Sequence, residues 1–152
     1  MNMIKTNINN LVIRNCNPDD FPMIFELLKQ LWPDKKCNWD QLSKVYLAGL
    51  ESDHQKYICA VTKNNVIAFC SLTIKNNLWQ AGNLGHIDEL IVDTNYRGLG
   101  IGTQLLEAIT DIAKQHHCKR IELDTAFHRT KAHNFYSMLD FENRAYLFSK
   151  AL

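Results

Sequence analysis

Asp93-Thr94-Asn95-Tyr96-Arg97-Gly98-Leu99-Gly100-Ile101-Gly102-Thr103 links an apolar, strand-like run, His86-Ile87-Asp88-Glu89-Leu90-Ile91-Val92, to a helical pattern. That pattern is carried by Ile101, Leu105, Ala108, Ile109 and Ile112, at the spacing of an amphipathic helix running to about His117. Gly98, Gly100 and Gly102 fall at every second position and let the backbone come close to a ligand without Cβ interference. The free N–H groups and dipole at the start of the following helix favour an anion. Arg97 adds a charge-assisted contact, so a diphosphate suits this turn. The turn is not a Walker A loop, because Gly102-Thr103 lacks the lysine. It also departs from GxGxxG, with Thr103 where the third glycine belongs. Glu122 does lie about 20 residues on, as a ribose-binding acid would. However, several strands precede the turn, whereas a dinucleotide loop usually opens its domain.

Upstream, Leu11 to Arg14 reads as a strand, and Asn17-Pro18-Asp19-Asp20 reads as a helix start with proline first and acids in the first turn. Ile24, Leu27, Leu28 and Leu31 continue that helix to Trp32-Pro33, and a second helix is predicted from Trp39 to Leu50. Tyr57 to Thr62, a turn at Lys63-Asn64-Asn65 and Val66 to Lys75 form a hairpin pattern, followed by a strand from Gly85 to Asp93. Downstream, Ile121 and Leu123 mark a strand, Thr130 to Met138 a short helix, and Ala145 to Lys150 a last strand. Hairpin-joined strands followed by strand–helix alternation describe a mixed sheet flanked by helices, not a doubly wound one.

The 152 residues fit one domain, expected over 11–152, with the polar, Asn-rich stretch 1–10 expected as a short mobile tail lacking the apolar core of a signal peptide. At 46% hydrophobic, 22% charged and a net charge of +1, the composition is that of a globular protein and gives no electrostatic case for nucleic acid or membrane binding. No apolar run approaches the ~18–20 residues that span a bilayer. Five cysteines, odd in number and without a CxxC pair, argue against a disulfide framework or a zinc site and point to a cytoplasmic location. His116-His117-Cys118 points its side chains in different directions, so no metal is expected there.

The turn has the form R-x-x-G-x-G, with Arg97, Gly100 and Gly102 in place. With the preceding strand and with Ala132-His133-Asn134-Phe135-Tyr136 and Leu139-Asp140-Phe141-Glu142 downstream, it resembles the GCN5-related N-acetyltransferases. Arg129-x-x-Ala132-His133-x-Phe135-Tyr136 and the Lys150-Ala151-Leu152 end are similar to the aminoalkylphosphonate N-acetyltransferase branch. The resemblance implies an α/β (α+β) fold: a mixed, mostly antiparallel sheet of six to seven strands with about four helices. It implies acetyl-coenzyme A as cosubstrate and transfer of acetyl to a primary amine of a small molecule by direct attack in a ternary complex. Related activities would be acetylation of a protein or peptide, or coenzyme sensing without turnover. Relatives are often dimers, so a homodimer is compatible. Arg129 and Asp140 stand where many relatives have Asn and Gly.

Amide formation needs a neutral amine, so a base must take a proton from an alkylammonium of pKa ~10.4. The oxyanion needs N–H donors, and the departing thiolate benefits from a proton. Asp88 and Glu89 are the candidate bases, with Glu89 favoured by the resemblance. Strand alternation predicts that they face opposite sides, Ile87 and Ile91 sharing the Glu89 side and Leu90 and Val92 the Asp88 side. Tyr136 is the candidate acid. Leu90, Ile91 and Val92 are expected along the acetyl and pantetheine arm, with the Val92 N–H at the oxyanion. The residues Arg97, Gly98, Leu99, Gly100, Ile101, Gly102 and Thr103 are expected at the pyrophosphate, and Asn134 and Tyr136 beside the coenzyme. Arg129 and His128 would meet an anionic acceptor.

Overall fold

The computed structural model describes residues 8–152, so most of the tail expected over 1–10 lies outside the described residues. The chain enters β1 (Val12–Asn15) and turns through a 3-10 turn at Pro18–Asp20 into α1 (Phe21–Leu31). Asn17 caps this turn: its side chain accepts from Asp19 N at 2.9 Å, and Asp20 accepts from Asn17 N at 2.8 Å. Pro33 disfavours helical geometry at the preceding residue, and α1 ends one residue before it. A second cap, Asn38 Oδ1 accepting from Gln41 N at 2.9 Å, opens α2 (Trp39–Glu51).

β2 (Gln55–Thr62) and β3 (Asn65–Asn77) are joined by Lys63 and Asn64, at φ of 48° and 63°. These are the two positive-φ positions of a tight hairpin turn. β4 (Gly82–Val92) follows, then α3 (Ile101–Gln115), β5 (Cys118–Leu123) and α4 (Thr130–Met138). The sheet order is β1-β2-β3-β4-β5; all pairs are antiparallel except β4–β5, which α3 connects as a crossover.

Each face of the sheet carries its own core. On one, Ile101, Leu105 and Ile109 of α3 pack with Cys70, Leu72 and Ile87. On the other, Phe21, Ile24 and Leu28 of α1 pack with Cys59, Phe69 and Ile91. Ile24, Leu105 and Ile109 are wholly buried, each stabilising the fold by about 1.5–3 kcal/mol. Arg14 reaches from β1 to the buried Asp20 with both terminal nitrogens, at 2.7 and 2.8 Å, tying the sheet edge to the start of α1.

The sheet has five strands among the described residues, not six to seven. Ala145 to Lys150 does not form the expected last strand, and Tyr146, Leu147 and Phe148 stand exposed. Apolar propensity makes a strand only where an edge pairs with it. Here Glu142 turns toward Arg120 and Arg144, both at 3.9 Å, and no ladder to β5 forms.

Candidate active site

The β4–β5 ladder runs from Asn83↔Cys118 to Ile87↔Leu123 and stops, while β4 continues to Val92. The strands fork there, and among the described residues the β4 edge from Asp88 onward has no strand partner on the β5 side. The N–H of Glu89 turns toward β3, donating to Ser71 Oγ at 3.0 Å, and the N–H of Asp93 donates to Ile67 O at 2.8 Å. Alternation then turns the backbone groups of Leu90 and Val92 into the fork and leaves those of Ile91 to the β3 ladder. The backbone groups of Leu90 and Val92 thus face the fork. Ile91 does not: its backbone faces β3 and its side chain is buried in the α1 core.

The β3–β4 register corrects the expected facing of the two acids. Ser71 pairs with Glu89 and Leu72 with Ile87, so Asp88 is an extra residue in a β-bulge. Alternation breaks at that point. Ile87 lies in the α3 core and Ile91 in the α1 core, on opposite faces, where unbroken alternation places them together. Glu89 and Asp88 instead share the α1 face. Glu89 meets Ser71, and Asp88 accepts from Thr73 Oγ1 at 2.5 Å and lies 3.1 Å from His86 Nδ1. His86 Nε2 in turn lies 3.0 Å from Asp124 Oδ1.

Burial raises the Glu89 carboxyl above its ordinary value, and the neighbouring Asp88 pushes the same way. The Ser71 hydroxyl, which donates to the Glu89 carboxylate, pulls back, as do His86 and Lys35. A carboxyl moved toward neutrality is a better base for an amine proton than an ordinary one. The Tyr136 phenol is pushed up to about 12 by burial. Its ring packs against Phe135 and Phe141, which line the α3 core.

Beyond the fork, Gly98 and Gly100 stand at φ of 76° and 78°, the left-handed region that an L side chain enters at a cost. Gly100 caps α3, and the first intrahelical bond to it comes from Gln104 at 3.2 Å. The N–H groups of Ile101, Gly102 and Thr103 precede that bond and face outward from the helix end. Ile101 offers only its backbone, since its side chain is 1% exposed. Gly102 plays a different part from the other two: a Cβ there would sit 3.4 Å from Phe135 Cζ, in ordinary contact. Arg97 Nε donates to Val92 O at 3.0 Å, folding the side chain back over the strand end. Gln30 holds the loop from α1, donating to Asp93 at 3.0 Å and accepting from the Thr94 N–H and hydroxyl.

An open strand edge that leads to outward-facing helix N–H groups and two left-handed glycines fits a long ligand ending in a diphosphate. Leu99 is 38% exposed and borders this edge. Asn134 and His128 are exposed, on α4 and in the loop before it. Arg129 donates to Leu31 O at 2.5 Å, so one of its nitrogens ties α4 to α1. Ser71, Thr73, His86, Asp124, Gln30 and Lys35 belong to the site and were missed in the sequence. The available signal was Ser71 and Thr73, hydroxyls on one face of the apolar run 66–74.

The chain belongs to the acetyltransferase (GNAT) family, whose model matches residues 21–141, and it is an acyltransferase by class. It is 28% identical over 140 residues to the aminoalkylphosphonate N-acetyltransferase of Salmonella typhimurium, covering 92% of this chain and 90% of that one. It is 31% identical over 135 residues to glucosamine 6-phosphate N-acetyltransferase 1 of Dictyostelium discoideum, covering 86% and 84%. An aminoglycoside N-acetyltransferase solved in complex with CoA superposes with a TM-score of 0.83 at 22% identity, covering 94% and 96%.

Proposed function

We propose that this protein transfers acetyl from acetyl-coenzyme A to the primary amine of a small molecule bearing a phosphonate or phosphate group. The observation that carries the reading is the unpaired β4 edge, with Glu89 at its head and the α3 N-terminus at its foot. When bound, acetyl-coenzyme A supplies an activated acyl group. Glu89 accepts a proton from the attacking ammonium, leaving the nitrogen lone pair free to form the C–N bond. The Val92 N–H donates to the oxyanion that forms with that bond; as the oxyanion collapses, the C–S bond breaks and the second nitrogen proton passes to the sulfur, so coenzyme A leaves as the thiol.

Tyr136 donates to the departing sulfur. A phenol at about 12 is fully protonated near neutral pH. Handing its proton outright to a thiolate of pKa ~8.5 would run uphill, so a hydrogen bond is its main contribution. Two relatives named for anionic amine substrates support the acceptor class. Lys35, whose charge bears on Glu89, and the free nitrogens of Arg129 supply positive charge for such a group, with His128 nearby in sequence.

The test is free thiol release from acetyl-coenzyme A with aminoalkylphosphonates, amino-sugar phosphates, unphosphorylated amino sugars, polyamines and short peptides. Release driven by the anionic amines is expected. Preference for polyamines or peptides would overturn the acceptor class, and tight coenzyme binding without release would overturn catalysis.

A further inference from the structure

We propose that His86 is a positioning residue that braces the mouth of the fork, bridging Asp88 in the bulge to Asp124 just beyond β5. The inference rests on the acetyltransferase reading above. His86 sits one residue before the last β4–β5 pair, and Asp124 one residue after it. Past this point the two strands part, so a link here sets how wide the fork opens. Both ring nitrogens are used, at 3.1 Å to Asp88 and 3.0 Å to Asp124, on a side chain only 24% exposed.

The other Asp88 oxygen accepts from Thr73 Oγ1 at 2.5 Å. The result is a line of polar groups, Thr73–Asp88–His86–Asp124, laid across β3, β4 and β5. Within it, His86 holds the bulge residue beside Glu89. The groups facing His86 are Asp88 and Glu89 from its own strand, Asp124 and its register partner Glu122 from the β5 side, and the neutral Thr73 from β3. The charged groups that act on the imidazole, Asp88 and Asp124, are both acids.

The bridge is complete only when both ring nitrogens carry protons, because a neutral imidazole must present a lone pair to one carboxylate. The hydrogen bond to Asp88 raises His86 above its ordinary value of 6.5, with further help from Asp124. A raised value means the bridge is fully present below 6.5 and loses one arm as pH rises through the folded value.

The experiment measures coenzyme A binding directly by calorimetry across pH 5.5–9, alongside kcat/KM profiles (an assay range set by the ~6.5 reference of histidine). His86→Ala is expected to weaken coenzyme A binding by about tenfold at pH 6, as for loss of a charged hydrogen bond. Asp124→Ala should do the same, and the double variant should be no worse than either, since one bridge is lost in each. Wild-type affinity should fall with rising pH relative to His86→Gln, which has no proton to lose. His86→Gln should also recover part of the affinity at high pH through its amide. If His86→Ala fails to fold, His86→Gln and Asp124→Asn carry the same comparison. Unchanged affinity and pH dependence in these variants, or additive losses in the double, would overturn the brace. Wild-type protein that fails to bind coenzyme A would sink the acetyltransferase reading itself, a distinguishable result.

Discussion

The Ser71 hydroxyl holds Glu89 at two points, accepting from its N–H at 3.0 Å and donating to its carboxylate. Ser71 is 1% exposed, so this grip is shielded from water. Removing the hydroxyl takes away a bond that favours the charged carboxylate and leaves burial and Asp88 to raise it further. Ser71→Ala is therefore expected to move the acid limb of kcat/KM to higher pH, because the base works only when ionised. Glu89→Gln should lower kcat/KM by ~10²–10⁴ and abolish that limb. A limb left in place by Glu89→Gln would assign it to another group.

Tyr136 has no hydrogen-bond partner for its hydroxyl among the described residues, and its ring is held by Phe135 and Phe141. Tyr136→Phe keeps that packing. Its kcat should fall about tenfold, the value of one hydrogen bond to a charged group, with coenzyme affinity unchanged. A matching loss of affinity, read by calorimetry, would make Tyr136 a binding residue.

Gly98 and Gly102 of the turn should respond differently to alanine. Gly98 has nothing within 4 Å of a Cβ yet stands at φ 76°, so Gly98→Ala is expected to cost about 1–2 kcal/mol despite the open space. Gly102 is helical, and a Cβ would meet Phe135 Cζ at 3.4 Å and Val92 Cγ2 at 3.7 Å. Gly102→Ala should be within about 1 kcal/mol of wild type in urea unfolding. Equal losses at the two positions would mean that backbone strain is not the deciding factor.

Asp140 ends α4 at φ 63°, followed by a Phe141 N–H that bonds back to Tyr136 O at 3.1 Å. Glycine enters this region without the side-chain penalty. Asp140→Gly should raise stability by about 1 kcal/mol, a Tm shift of ~2–4 °C, with the fold unchanged. A lower Tm would mean that Asp140 contributes a contact outweighing its strain.

The elements that carry strong local chemistry were legible. The Asn17-Pro18 cap, the Lys63-Asn64 turn and the Gly98–Gly102 entry to α3 all sit where the residues predict. Asp140, which stands where many relatives have Gly, takes a left-handed φ of 63°. The facing of Asp88 and Glu89 was not legible, because nothing in His86-Ile87-Asp88-Glu89-Leu90 marks one residue as extra. A bulge is decided by the partner strand, where Ser71 and Leu72 stay adjacent while β4 gains a residue. Tyr146-Leu147-Phe148 misled for the opposite reason: its propensity is local, while pairing requires an edge.

The bulge also constrains how this chain can change in length. The turn 78–81 can lengthen without disturbing the ladder, but β4 is matched to β3 residue by residue on either side of Asp88. Deleting Asp88 would restore strict alternation and leave the pairs on either side of it, Leu72↔Ile87 and Ser71↔Glu89, in phase. Glu89 would stay on the α1 face and Leu90 and Ile91 in the interiors they fill, while the link that Asp88 makes between Thr73 and His86 would be lost. Homologous sequences aligned without a gap through this strand would therefore keep two positions on one face, and a single-residue gap at Asp88 would mark a regular strand with Glu89 in place and no link to His86.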